Sequence, residues 1–140
     1  MGLDVPPEFL TDASPARYWR PHQAEGRLWV AEAQGVRLGF LAAQADGARL
    51  HVEQLQVLRA HQGRGIGRQL LATAIDWARA RGFSTVSLTT FRSVAWNAPF
   101  YASAGFREVA RHEMAPGLRA TAEHEAALGW PDRCAMVLDL

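Results

Sequence analysis

The sequence has no lysine, a single cysteine and no apolar run approaching the ~20 residues that a membrane-spanning helix needs. Without lysine the phosphate loop Gly-x-x-x-x-Gly-Lys-Ser/Thr cannot be built, which excludes nucleotide chemistry of that kind. The lone Cys134 excludes an internal disulfide, suits reducing surroundings, and sits in the run Cys134-Ala135-Met136-Val137-Leu138, where it reads as a small core residue. The opening MGLDVPPEFL lacks the basic and apolar regions of a secretory leader, so a cytoplasmic location with no membrane partner is expected. An excess of one charge is also missing. Fifteen basic against 14 acidic residues leave a net charge of +1, and the arginines alternate with acids, so no nucleic-acid partner is expected. His22, His112 and His124 have no partner at ligand spacing, so no metal is expected. Repeats and low-complexity tracts are absent too. What remains is a single domain over residues 1–140, 49% hydrophobic and long enough for a substantial core.

The densest signal is Gln62-Gly63-Arg64-Gly65-Ile66-Gly67-Arg68. Upstream, Leu50 to Leu58 is aliphatic and β-branched and reads as a strand. Downstream, Ile66, Leu70, Leu71, Ala74, Ile75, Trp77 and Ala78 recur at helical spacing until Gly82 stops the helix. The glycines therefore sit where a strand meets a helix N-terminus. Free N–H groups and the helix dipole favour an anion there. Gly65 and Gly67 allow close backbone approach, and Arg64 and Arg68 add cations. A pyrophosphate fits this seat, and a tight turn before a core helix is the plain alternative. The dinucleotide fingerprint Gly-x-Gly-x-x-Gly fails, because no glycine follows at the required spacing.

The pattern that fits is Gln/Arg-x-x-Gly-x-Gly/Ala, met by Gln62, Gly65 and Gly67, and here the chain resembles the GNAT family of acetyl-CoA-dependent N-acetyltransferases. A second match follows in family order: after a β-rich run from Thr85 to Phe91, Tyr101, Gly105 and Phe106 reproduce Tyr-x-x-x-Gly-Phe. The resemblance covers residues 27 to 113 well and the C-terminal strand weakly. It implies a mixed α/β (α+β) fold with a mostly antiparallel central sheet flanked by helices, here lacking the usual first strand and helix. Two readings stay open: the sheet edge is bare and invites a partner strand, as in a homodimer, or Met1 is not the start of the ancestral domain.

The same resemblance implies acetyl-CoA as co-substrate and an amine of a small molecule or peptide as acceptor. Gln62, Gly63, Arg64, Gly65, Ile66, Gly67 and Arg68 would hold its pyrophosphate, and backbone groups of Leu55 and Val57 its pantetheine and thioester. Tyr101 would be the general acid that protonates the departing thiolate. For the base, His51 and Glu53 alternate with Leu55 and Val57, and a period of two puts all four on one face unless a bulge intervenes. The family usually has Asn seven residues before the Tyr, where this chain has Val94, so Asn97 is both a candidate cofactor contact and a candidate helix N-cap. A non-catalytic acyl-CoA sensor on the same fold is the alternative function.

The coarse order is an irregular opening stretch (1–13), a helix near 15–25, a hairpin over 27–45 turning near Gln34-Gly35, the motif strand and helix, the Thr85 strand, the Tyr101 helix and a strand over 107–113. Residues 115–131 read as a loop with a helical piece near 121–128, before a final strand from Arg133. Trp29 and Trp77 read as core; Trp19, Trp96 and Trp130 lie near junctions, and Trp96 is a candidate pocket wall.

Overall fold

The computed structural model describes residues 10–13, 26–33, 36–63, 65–94 and 97–140. The helix expected near 15–25, the turn at Gln34-Gly35, Trp19 and Trp96 lie outside them. The chain divides into two compact units, Met1–Phe83 and Ser84–Leu140.

In the first unit four antiparallel strands pair in chain order: β1 (Leu10–Ala13), β2 (Gly26–Ala33), β3 (Val36–Asp46) and β4 (Arg49–Val57). Strand β1 lies inside the stretch read from sequence as irregular. It pairs with Leu28–Ala31, so the edge of β2 expected to be bare is covered there. A 3-10 turn (Arg59–His61) then leads to α1 (Ile66–Ala80). Helix α1 buries Ile66, Leu70, Leu71, Ala74, Ile75 and Ala78, the stripe that its spacing predicts, against β2, β3 and β4. Burying each large aliphatic side chain contributes roughly 1.5–3 kcal/mol. Trp29 is buried and meets Trp77 of α1 edge-on with centroids 5.5 Å apart, so Trp29 is core as expected, whereas Trp77 is only half-buried beside it. The sheet face away from α1 carries a second cluster, Leu28, Val30 and Ala42, with Phe40 against it.

The second unit contains β5 (Thr85–Phe91), α2 (Ala98–Ser103), β6 (Arg107–Val109), a 3-10 turn (Arg111–Glu113), α3 (Pro116–Ala127) and β7 (Arg133–Asp139). Strand β7 lies between β5 and β6, antiparallel to both. Val109, Met114, Leu118 and Ala135 form a buried cluster there. The strand expected over 107–113 ends at Val109, because Ala110 N donates to the Glu113 carboxylate (3.0 Å) and the chain turns. The segment expected to be mostly loop is a 12-residue helix. Pro116 stands at its first turn, where a missing N–H costs nothing, and so starts the helix. The mixed α/β class holds, with antiparallel sheet and packed helices in each unit. Among the described residues no helix is long and apolar enough to cross a membrane.

Among the described residues, α1, α2 and α3 end alike. Phe83 N bonds Ala78 O, Phe106 N bonds Tyr101 O and Trp130 N bonds Glu125 O, each across a glycine of positive φ, in the six-to-one closure of the Schellman motif.

Candidate active site

The turn after β4 is pinned at its start. Gln62 Nε2 donates to Val57 O at 3.1 Å, tying the first residue of the glycine pattern to the strand end. Gly63 (φ 81°) and Gly65 (φ 79°) are both left-handed, a region that costs other residues ~1–2 kcal/mol. Arg64, between them, lies outside the described residues. Gly65 is the N-cap of α1, and the first helical bond runs from Gln69 N to Gly65 O (3.0 Å). The Ile66 and Gly67 amides therefore have no acceptor within the helix. The first turn holds Arg68 and no acidic residue, so nothing on it cancels the positive end of the dipole. This cradle suits a diphosphate.

Along β4 the pairing slips. Gln54 partners Ala42 and Val52 partners Ala43, leaving Glu53 as the extra residue of a bulge. Leu55, opposite Leu41, shares the side of Trp29 and α1, and Val57, two residues on, lies opposite Gly39. His51, opposite Gln44, falls on the other side. The expectation of one shared face for His51, Glu53, Leu55 and Val57 is thus corrected, because one inserted residue inverts the alternation.

Glu53 stays with His51, its Oε2 lying 3.7 Å from His51 Nε2. On the far side of the ring, Arg49 Nη1 lies 3.1 Å from His51 Nδ1, and Arg49 Nη2 donates to Asp46 Oδ2 at 2.6 Å. The result is a polar row, Asp46, Arg49, His51, Glu53, in which the Arg49 and His51 side chains are only 11% and 10% exposed. Sequence reading found His51 and Glu53 and missed Arg49 and Asp46. The signal was present in the two-residue alternation Arg49, His51, Glu53 and in the hairpin that sets Asp46 opposite Arg49. On the same unit a groove of about 520 Å³ is lined by Leu28, Val30, Phe40 and Val57, with Arg59 and Gln62 at hand.

In the second unit, Tyr101 is buried, with its ring edge-on to Phe100 and Phe106 (centroids 5.1 and 5.7 Å). The contact with Phe106 is the apolar clasp of the Schellman closure, so Tyr-x-x-x-Gly-Phe is also a helix stop. Burial pushes the Tyr101 hydroxyl up to about 12. Asn97 occupies the N-cap position of α2 but makes no side-chain cap bond. Its Oδ1 accepts from Thr90 Oγ1 at 3.0 Å, which leaves the amide NH₂ to donate. Glu125, in the stretch expected to be a loop with a helical piece, is buried; it accepts from Arg133 Nε (3.1 Å) and Thr89 Oγ1 (2.7 Å). The Arg133 guanidinium lies over Phe91 and the half-exposed Trp130 (4.7 and 5.4 Å). This network floors a cavity of about 330 Å³. Burial pushes the Cys134 thiol up, against a nucleophilic role. Among the described residues no group of three potential metal ligands is found.

Comparison with known proteins gives a consistent match. The pattern of the acetyltransferase (GNAT) family matches residues 3–106. A probable N-acetyltransferase camello of Xenopus tropicalis is 36% identical over 95 residues, covering 65% of this chain and 42% of that protein. The streptothricin acetyltransferase of Streptomyces lavendulae is 44% identical over 62 residues, covering 42% of this chain and 33% of that protein. The chain thus spans less than half the length of these relatives. Among solved structures, an acetyltransferase of Bacillus subtilis in complex with CoA superposes with a TM-score of 0.71 at 18% identity, covering 94% of this chain and 97% of that one.

Proposed function

The chain belongs to the GNAT family of acetyltransferases, and from that premise we propose that it is an acetyl-CoA-dependent N-acetyltransferase, passing the acetyl group to an amine of a small molecule or peptide by direct attack in a ternary complex. The observation that carries the reading is the pair of left-handed glycines opening α1, which leaves the Ile66 and Gly67 amides without acceptors inside the helix. Gln62, Gly63, Arg64, Gly65, Ile66, Gly67 and Arg68 hold the pyrophosphate of the co-substrate. Backbone groups of Leu55 and Val57 hold its pantetheine arm, and the Asn97 amide is a further donor. CoA in the Bacillus subtilis relative supports this choice of ligand.

Acetyl-CoA supplies a thioester, whose C–S bond breaks as the C–N bond to the acceptor forms. Glu53 takes the proton that the amine gives up. Backbone N–H groups of β4 near Leu55 stabilise the charge on the carbonyl oxygen, a donor of that kind being worth about 3–4 kcal/mol. Tyr101 faces a mismatch, because a hydroxyl raised to about 12 opposes a thiol near ~8.5 and full transfer is uphill by roughly 5 kcal/mol. Tyr101 therefore steadies the thiolate as a hydrogen-bond donor, and solvent completes the protonation. Supplying acetyl-CoA with a panel of amines and measuring free thiol tests the reading. Release that depends on an amine supports it; a cofactor bound but left intact supports a sensor instead.

A further inference from the structure

We propose that the cavity of the second unit binds a small carboxylate carrying an apolar group, with Arg133 as its anchor. It does not require the acetyl transfer proposed above. Arg133 Nε donates to Glu125 Oε1 (3.1 Å), and Nη2 donates to Glu125 Oε2 (3.4 Å) and Thr89 Oγ1 (3.1 Å). Among the described residues Nη1 has no hydrogen-bond partner, and it is open to solvent. The side chain is only 19% exposed and lies against the Phe91 and Trp130 rings, so its remaining donors are held in place before any ligand arrives.

The acids of the lining are already engaged, whereas donors remain. They are Glu125, bonded as above, and Asp132, whose carboxylate accepts from Ser93 N (3.1 Å) and Ser93 Oγ (2.9 Å). Arg92 is tied to Glu108 through Nε and Nη2, but Arg111, in the same lining, comes no nearer to a described acid than 3.9 Å, to Glu123. Asp132 is the one described non-glycine residue with left-handed backbone (φ 58°), and Arg92 N donates to its carbonyl at 2.7 Å, which fixes this wall too. Strained residues held in this way cluster at ligand sites. A dianion such as phosphate would be repelled by two acids in one wall. A carboxylate brings a single charge and two oxygens that suit a guanidinium. Met114, Ala122, Ala126 and the half-exposed Trp130 supply the apolar part of a space of about 330 Å³, within the range of small-molecule sites.

The test titrates the ¹⁵N-labelled protein with phenylpropionate and, separately, with phenylpropionamide, following the Trp130 indole N–H signal, assigned by its loss in Trp130→Phe. A saturable shift is expected with the acid, and binding at least ~10-fold weaker with the amide, which lacks the charge for Arg133. Arg133→Met combined with Glu125→Leu leaves neither charge of the pair unmatched and is expected to abolish the response. Arg111→Ala, at an exposed position, is expected to weaken binding several-fold. No saturable shift with the acid, an equal response to the amide, or binding unchanged in the double variant overturns the proposal. Should the double variant fail to fold, Arg111→Ala and the comparison of acid with amide decide. Kinetics then separates two sources of the carboxylate: competition between phenylpropionate and an acetylated amine assigns it to the acceptor, and a changed rate without competition assigns it to a regulator. Either keeps the site. The spectrum does not depend on turnover, so a protein that binds the acid and acetylates no amine keeps the site and loses the transferase reading.

Discussion

The side-chain amide of Gln62 donates to the Val57 carbonyl at 3.1 Å, so the last residue of a strand and the first of a glycine turn are held as one piece. The bond is exposed, and a neutral bond of this kind contributes about 0.5–1.5 kcal/mol. Gln62→Ala is expected to weaken acetyl-CoA binding by roughly 2- to 10-fold by loosening the turn. Isothermal calorimetry reads this, and unchanged affinity removes Gln62 from the binding account.

Gly65 makes a stronger case. At φ 79° an alanine costs ~1–2 kcal/mol of stability, which thermal unfolding reads directly. Gly65→Asp adds a carboxylate where the diphosphate is placed, and calorimetry is expected to detect no acetyl-CoA binding while circular dichroism stays native. Binding at wild-type strength would move the anion site elsewhere.

Tyr101 supplies a pH signature. Its ordinary value is 10.0 and its folded value about 12, so the folded state holds the proton more tightly. Below pH 10 the contribution is whole. As pH climbs from 10 to 12 the unfolded chain ionises first, and stability should fall by about 3 kcal/mol. Tyr101→Phe should flatten that fall, measured by urea unfolding at a series of pH values. It should also lower kcat with little effect on acetyl-CoA affinity; unaltered turnover would remove the donor role.

The Glu125 and Arg133 pair invites a double-mutant cycle. Removing one partner strands a buried charge, so Arg133→Met alone is expected to cost about 3–5 kcal/mol. Adding Glu125→Leu should recover a large part of that, as read in denaturant midpoints. Simple additivity would show that the two side chains are not coupled.

Legibility followed the kind of signal each element leaves. Helix α1 was readable because six apolar residues at helical spacing face the sheet, and Gly82 closes it. The glycine turn was readable because left-handed backbone at 63 and 65 demands that residue. Helix α3 was harder: only Leu118 and Glu125 are buried on it, so it carries no apolar stripe, and Pro116 resembles a breaker. The Gly129-Trp130 pair still marks its end, as Gly82-Phe83 and Gly105-Phe106 mark the other two. The bulge at Glu53 leaves no compositional trace, being only a change of register, and it is what moved His51 to the other face. Asn97 was legible as a polar group at a helix start, but its oxygen goes to Thr90, a partner seven positions back on another element.

Cys134 is the protein's one thiol, enclosed in β7 with its ionisation suppressed. A disulfide dye added to follow CoA release would therefore meet almost no background from native protein. Any slow labelling would clock the rate at which that strand comes free, giving an intrinsic stopwatch for breathing of the C-terminal unit.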